Sequence, residues 1–95
     1  MLVKFLYLIA FTYLRDHKFN FMNHTLLPLL KRIGDRLHEL RHSRREKLIA
    51  IEMALGINHG TVSEIEHGKY TSLSLATVAK FADYYGVSVE SLIMP

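Results

Sequence analysis

The side chains able to do chemistry gather in two stretches. His59, Gly60, Thr61, Ser63 and Glu64 set an imidazole, two hydroxyls and a carboxylate around a glycine. These are short hydrogen-bonding groups, suited to reading donor and acceptor edges rather than to breaking bonds. Ahead of them, Ser43 to Lys47 reads SRREK, and Arg44, Arg45 and Lys47 make a basic corner suited to phosphate. Such contacts position a protein on a polyanion without reading sequence. Each charge that neutralises a phosphate also releases counterions, so affinity resting on it falls steeply with salt. The bland alternatives are a solvated connector for the corner and a solvated face for the ridge. His38 and His42 stand four apart and in principle reach one metal, but neither a cysteine nor a clear acidic set completes the site. No nucleophile elbow, phosphate loop or metal-ligand spacing is present, so neither enzyme, cofactor nor metal is expected.

The elements that must position the ridge are two short helices meeting at a glycine. Ile51 and Leu55 stand four apart and share one helical face. Gly56 follows and suits the left-handed conformation that ends a helix. Ile57 can plug the gap between the helices. Asn58 offers a side-chain oxygen to the free N–H groups of a new first turn. Val62 and Ile65 then face the first helix, leaving the polar ridge outside. Gly68 closes the second helix, with Lys69 just beyond.

Ile51, Leu55, Gly56, Ile57, Val62, Ser63, Ile65, Glu66, Gly68 and Lys69 carry a resemblance to the Cro and lambda-repressor-like (XRE-type) helix-turn-helix family. The run SEIEHGK is similar to that family's S-x-I-E-x-G-K signature. The likeness extends from about Ile33 to Ile93, through SLSLATVAKFADYYGVSVESL. It implies DNA binding by the second helix, Asn58 to His67, whose N-terminal half reads bases in the major groove. Carried over, His59, Gly60, Thr61, Ser63 and Glu64 are the base-reading positions. Thr61 can also touch a thymine methyl. Gly60 permits close approach at a helix cost of ~1 kcal/mol. Glu64 can accept from a cytosine amine, yet it repels phosphate. Arg44, Arg45, Lys47, Asn58, His67, Lys69 and Tyr70 are the phosphate-contacting candidates.

The chain departs from that pattern in three places. Leu48 stands where the family commonly has a phosphate-anchoring glutamine. Glu52 stands where a small residue normally lets the helices pack closely; a carboxylate buried there needs a partner, and an arginine from the preceding helix is one candidate. Glu64 replaces a residue that is often basic or neutral. These features support an alternative function, a protein-interaction or antitoxin-like module that keeps the fold and binds a partner such as a toxin.

The supporting elements follow from periodicity. Thr25 to Arg45 reads as a packing helix with Thr25 as N-cap and Pro28 in its first turn. Leu30, Ile33, Leu37 and Leu40 form its apolar stripe, with Arg32, Asp35, Arg36, Glu39 and Arg41 mostly on the other face. Tyr70 to Leu73 is a loop. Ser74 caps a helix from Leu75 to Tyr85, with Leu75, Val78, Ala79, Ala82 and Tyr85 at helical steps, Phe81 adding bulk, and Gly86 ending it. Phe81, Tyr84 and Tyr85 read as core. Ser88 caps a last short turn, with Glu90 in the first turn, where negative charge is favoured.

Ninety-five residues, 49% of them hydrophobic, bound one small globular domain. The absence of cysteine rules out a disulfide framework and fits a reducing cytosol, so a cytoplasmic protein is expected. The net charge of +3 favours polyanion partners only mildly. The expected architecture is all-α: about five short helices containing a helix-turn-helix over residues 25–95, preceded by an apolar extension over residues 1–24. That extension holds Leu2 to Leu14, too short to span a bilayer and lacking a signal-peptide cleavage pattern. Its content suits a strand or a buried helix. It reads as a pairing element for a dimer, as sequence upstream of a start at Met22, or as a membrane-attached arm. The favoured reading is a homodimeric repressor on double-stranded DNA without membrane attachment, because one short recognition helix offers few contacts.

Overall fold

Apolar residues at three- and four-residue steps wind the chain into six α-helices with no strand among the described residues. The computed structural model describes the backbone of residues 2–95 and the side chains of residues 3–10 and 20–95. The helices are α1 (Leu2–Phe21), α2 (Leu27–Ser43), α3 (Leu48–Leu55), α4 (His59–Glu66), α5 (Leu75–Tyr85) and α6 (Val89–Ile93).

α1 and α2 are joined by a π-helical turn, Met22–Leu26, so the backbone stays helical from Leu2 to Ser43. Pro28 accounts for the turn. A proline lacks the N–H that a helix interior needs, and its ring crowds the carbonyl four residues back. One extra residue in the preceding turn relieves that crowding, and Leu27 N–H reaches back five residues to the carbonyl of Met22. Thr25 therefore lies inside the π turn and caps nothing, contrary to the expectation for it; Leu26 occupies the N-cap position of α2 with no side-chain cap.

The apolar run is helical where a strand was one expectation, and the run's side chains from residue 11 on lie outside the described residues. Nor is its described part buried. Val3, Phe5, Leu6, Tyr7, Leu8 and Ile9 are each at least half exposed. At about 1.5 Å per residue, the helical run from Leu2 to Ser43 accounts for the molecule's long dimension of 63 Å. Its N-terminal part therefore projects beyond the bundle. No helix of the described residues is long and apolar enough to cross a membrane.

The core lies between α2 and the C-terminal helices. Ile33 and Leu37 of α2 meet Ile51 of α3, Val62 and Ile65 of α4, Val78, Phe81, Ala82 and Tyr85 of α5, and Leu92 of α6. The stripe on α2 is as expected. On α5 it is narrower: Leu75 and Ala79 are exposed, and Phe81 takes the core place instead. Ser74 and Ser88 cap α5 and α6 by accepting from the N–H groups of Thr77 and Ser91. The crossing of α2 over the end of α4 depends on Gly34. A Cβ there would sit 2.5 Å from the carbonyl oxygen of Ile65 and 2.6 Å from that of Glu66. Only hydrogen at this position lets the two backbones come so close.

Candidate nucleic-acid interface

α3 and α4 form the expected pair around Gly56. Gly56 has φ 71° and ψ 22°, and its N–H donates to the carbonyl of Glu52 at 2.8 Å. That left-handed residue turns the chain out of α3. Ile57 is half-buried and packs against the core. Asn58 then begins α4, its Oδ1 accepting from the N–H of Gly60 at 2.8 Å. Val62 and Ile65 are fully or almost fully buried. Their burial turns the opposite face of α4 outward.

The ridge divides by exposure. His59, Gly60 and Glu64 are exposed, whereas Thr61 and Ser63 are half-buried. His59 is also engaged: its Nδ1 lies 3.1 Å from Oε2 of Glu52. Glu52 thus has a partner, but it is this histidine on α4 and not an arginine from α2. His67 donates from Nδ1 to the carbonyl of Ser63 at 2.7 Å, which leaves its other ring nitrogen to the outside.

The basic corner is less uniform than SRREK implies. Arg44 folds back, donating from Nη1 to the carbonyl of Tyr84 at 3.2 Å and from Nη2 to that of Tyr85 at 3.1 Å. Its guanidinium also sits 5.0 Å from the Tyr85 ring centre. The cation closes the C-terminal end of α5, where free carbonyls favour positive charge. Arg45 takes φ 56°, the only left-handed non-glycine among the described residues. The side chains of Arg45, Lys47 and Lys69 are exposed and hold no partner among the described residues. Tyr70 is half-buried against the core. Leu48 heads α3 and packs on the core from the position where the resembled family has its glutamine.

Sequence reasoning missed the ion pair that fixes α4. Arg41, expected on the outer face of α2, is turned inward. It donates from Nε to Oε2 of Glu66 at 2.8 Å and from Nη2 to Oε1 at 3.0 Å. His38 Nδ1 meets Oε1 at 3.0 Å from the solvent side. Arg41 also holds the Glu46 carbonyl through Nη1 at 2.9 Å. The Glu66 hydrogen bonds push the guanidinium pKa above its ordinary value, against the opposing effect of burial. The signal available in sequence was the glutamate beside an apolar residue at the end of the second helix. Nearby, the Tyr84 hydroxyl donates to Oε2 of Glu46, and this bond raises the phenol's pKa.

The His38 and His42 rings are tilted neighbours 4.3 Å apart, and among the described residues no set of three or more ligating side chains converges.

Residues 32–92 match the family of the helix-turn-helix domain. No curated protein and no solved structure matches the chain.

Proposed function

The chain belongs to the helix-turn-helix domain family, and on that premise we propose that it is a sequence-specific DNA-binding regulator that lays α4 in the major groove. It acts in the cytoplasm as a homodimeric repressor of a nearby promoter. The observation that carries this reading is the division of α4. Val62 and Ile65 are buried, while His59 and Gly60 stand exposed at the end of the helix that enters a groove first and Glu64 stands exposed further along it. Arg45, Lys47 and Lys69 supply uncommitted positive charge for phosphates. Two copies are needed because eight residues of α4 offer few contacts, and a pair reads two half-sites about one helical turn apart. The reading is of a binding protein and not of a catalyst.

A second reading has its own support. Glu52 and Glu64 place two carboxylates on the α3–α4 face, which repel phosphates and suit a protein partner, such as the toxin of an antitoxin-like pair. Gel shifts with DNA from upstream of the protein's own gene separate the two. The DNA reading expects a specific shift that the double variant His59→Ala, Thr61→Ala loses while remaining folded. A specific shift that survives the double variant refutes the assignment of the reading residues. No shift at all leaves the protein-binding role ahead.

A further inference from the structure

His59 is the first residue of α4, and its side chain is 58% exposed, yet one edge of the ring is already committed. Nδ1 lies 3.1 Å from Oε2 of Glu52, seven residues earlier on α3. A carboxylate offers only lone pairs, so the hydrogen in this bond belongs to Nδ1. A neutral imidazole carries a single ring N–H. With that hydrogen held at Nδ1, the other nitrogen, Nε2, has a lone pair and no hydrogen. The arrangement is supported from below. Glu52 lies in the last turn of α3, and its own carbonyl accepts the N–H of Gly56, the residue that sets the turn between the helices. Ile51 beside it is fully buried, which fixes α3 against Val62 of α4.

We propose that Glu52 is the positioning residue for His59: it fixes the ring with hydrogen on Nδ1, so that His59 presents a pure acceptor to the major groove and selects a base carrying an exocyclic amine. Adenine N6 and cytosine N4 are the amines available there. Guanine and thymine present oxygen acceptors instead, which oppose the Nε2 lone pair. The inference rests on the DNA-binding reading and deepens it, because it names the base chemistry that one position of each half-site demands. It also gives the unusual carboxylate of α3 a task, since a small residue would pack there as well.

Two measurements test it, both on the full chain at about pH 8.5, where an ordinary imidazole is neutral. The first is a long-range proton–nitrogen correlation spectrum of the ¹⁵N-labelled protein. It is expected to show a protonated Nδ1 and an unprotonated Nε2 for His59 in the wild type, and loss of that preference in Glu52→Ala. A wild-type ring protonated at Nε2 overturns the proposal, and this result needs no DNA. The second is selection from a randomised duplex library, followed by competition at each position. At one position per half-site the wild type is expected to accept A·T and C·G alike on one strand, about tenfold over T·A and G·C; enrichment of a single base pair there overturns the pure-acceptor assignment. In Glu52→Ala that preference should fall below about threefold, with weak non-specific binding retained. A wild type that enriches no sequence refutes the DNA-binding reading itself. One whose preference is unchanged in Glu52→Ala refutes only the role given to Glu52.

Discussion

Glu66 is the only buried charged group among the described residues, and Arg41 answers it with two hydrogen bonds. Removing one member of such a pair strands the other in a low-dielectric interior. Arg41→Ala is therefore expected to lower the unfolding free energy by about 3–5 kcal/mol in urea melts. The exposed pair Lys31–Asp35 is the contrast: Lys31→Ala should leave the midpoint essentially unchanged. Arg45 poses the opposite question. Its left-handed backbone suits glycine better than arginine. Arg45→Gly is expected to keep or slightly raise the melting temperature while weakening DNA binding, and calorimetry beside a binding titration checks both halves. Tyr85 gives the pH dependence. Burial pushes its phenol up to about 12, above the unfolded value near 10. The folded state thus favours the neutral phenol, and that stabilisation is complete below pH ~10 and lost as pH rises towards 12. Melting temperature measured from pH 9 to 12 should fall less in Tyr85→Phe than in the wild type. At this scale the outward places of His59, Gly60 and Glu64 were legible, because polarity at outward helical positions is a local signal, whereas Thr61 and Ser63 are half-buried. The Arg41–Glu66 pair was not, because its members lie 25 positions apart and each alone reads as a surface charge.

Among the elements, the two-helix unit was readable nearly to the residue. Apolar spacing, a turn glycine and an asparagine cap all agree locally, and Gly56 and Asn58 adopt those roles. The start of α2 was misjudged for a physical reason. Thr25 and Pro28 look like a helix beginning, but the preceding residues are also helical, and the chain accommodates the proline with a π turn instead of stopping. Gly34 was invisible in sequence, since its requirement comes from the backbone of α4 crossing over it. Gly34 and Gly56 should therefore respond differently to alanine. At Gly56 a Cβ meets nothing within 4 Å, and the cost is only that of a left-handed alanine, ~1 kcal/mol. At Gly34 the methyl collides with two backbone carbonyls that cannot swing aside. Gly34→Ala is expected to cost about 3 kcal/mol or more and to loosen α4 against α2. Equal losses in the two variants would show that the helix crossing is not as tight as the structure has it.

For the whole molecule, the net charge of +3 overstates what is available to a polyanion. Arg32 donates to the carbonyl of Ile93 at the end of α6, Arg41 to Glu66, and Arg44 to the end of α5. These arginines hold helices together, and the uncommitted cations beside the helix-turn-helix are Arg45, Lys47 and Lys69. Meanwhile the apolar N-terminal part of α1 projects from the bundle, and sequence patterning alone did not decide whether it was strand or helix, because an unbroken apolar run has no period. In the proposed complex α4 enters the major groove with those cations on the flanking phosphates. Affinity for the selected duplex measured across a salt series, for the wild type and for Lys47→Ala and Lys69→Ala, tests that placement. Three phosphates per copy, each contributing about 0.9 to the slope of log affinity against log salt, give a slope of about −5 for a pair of copies. Each lysine variant should make that slope shallower by about 2 in the pair without changing which sequence is preferred. A slope near zero, or one that neither variant moves, would contradict the placement of this helix-turn-helix on DNA.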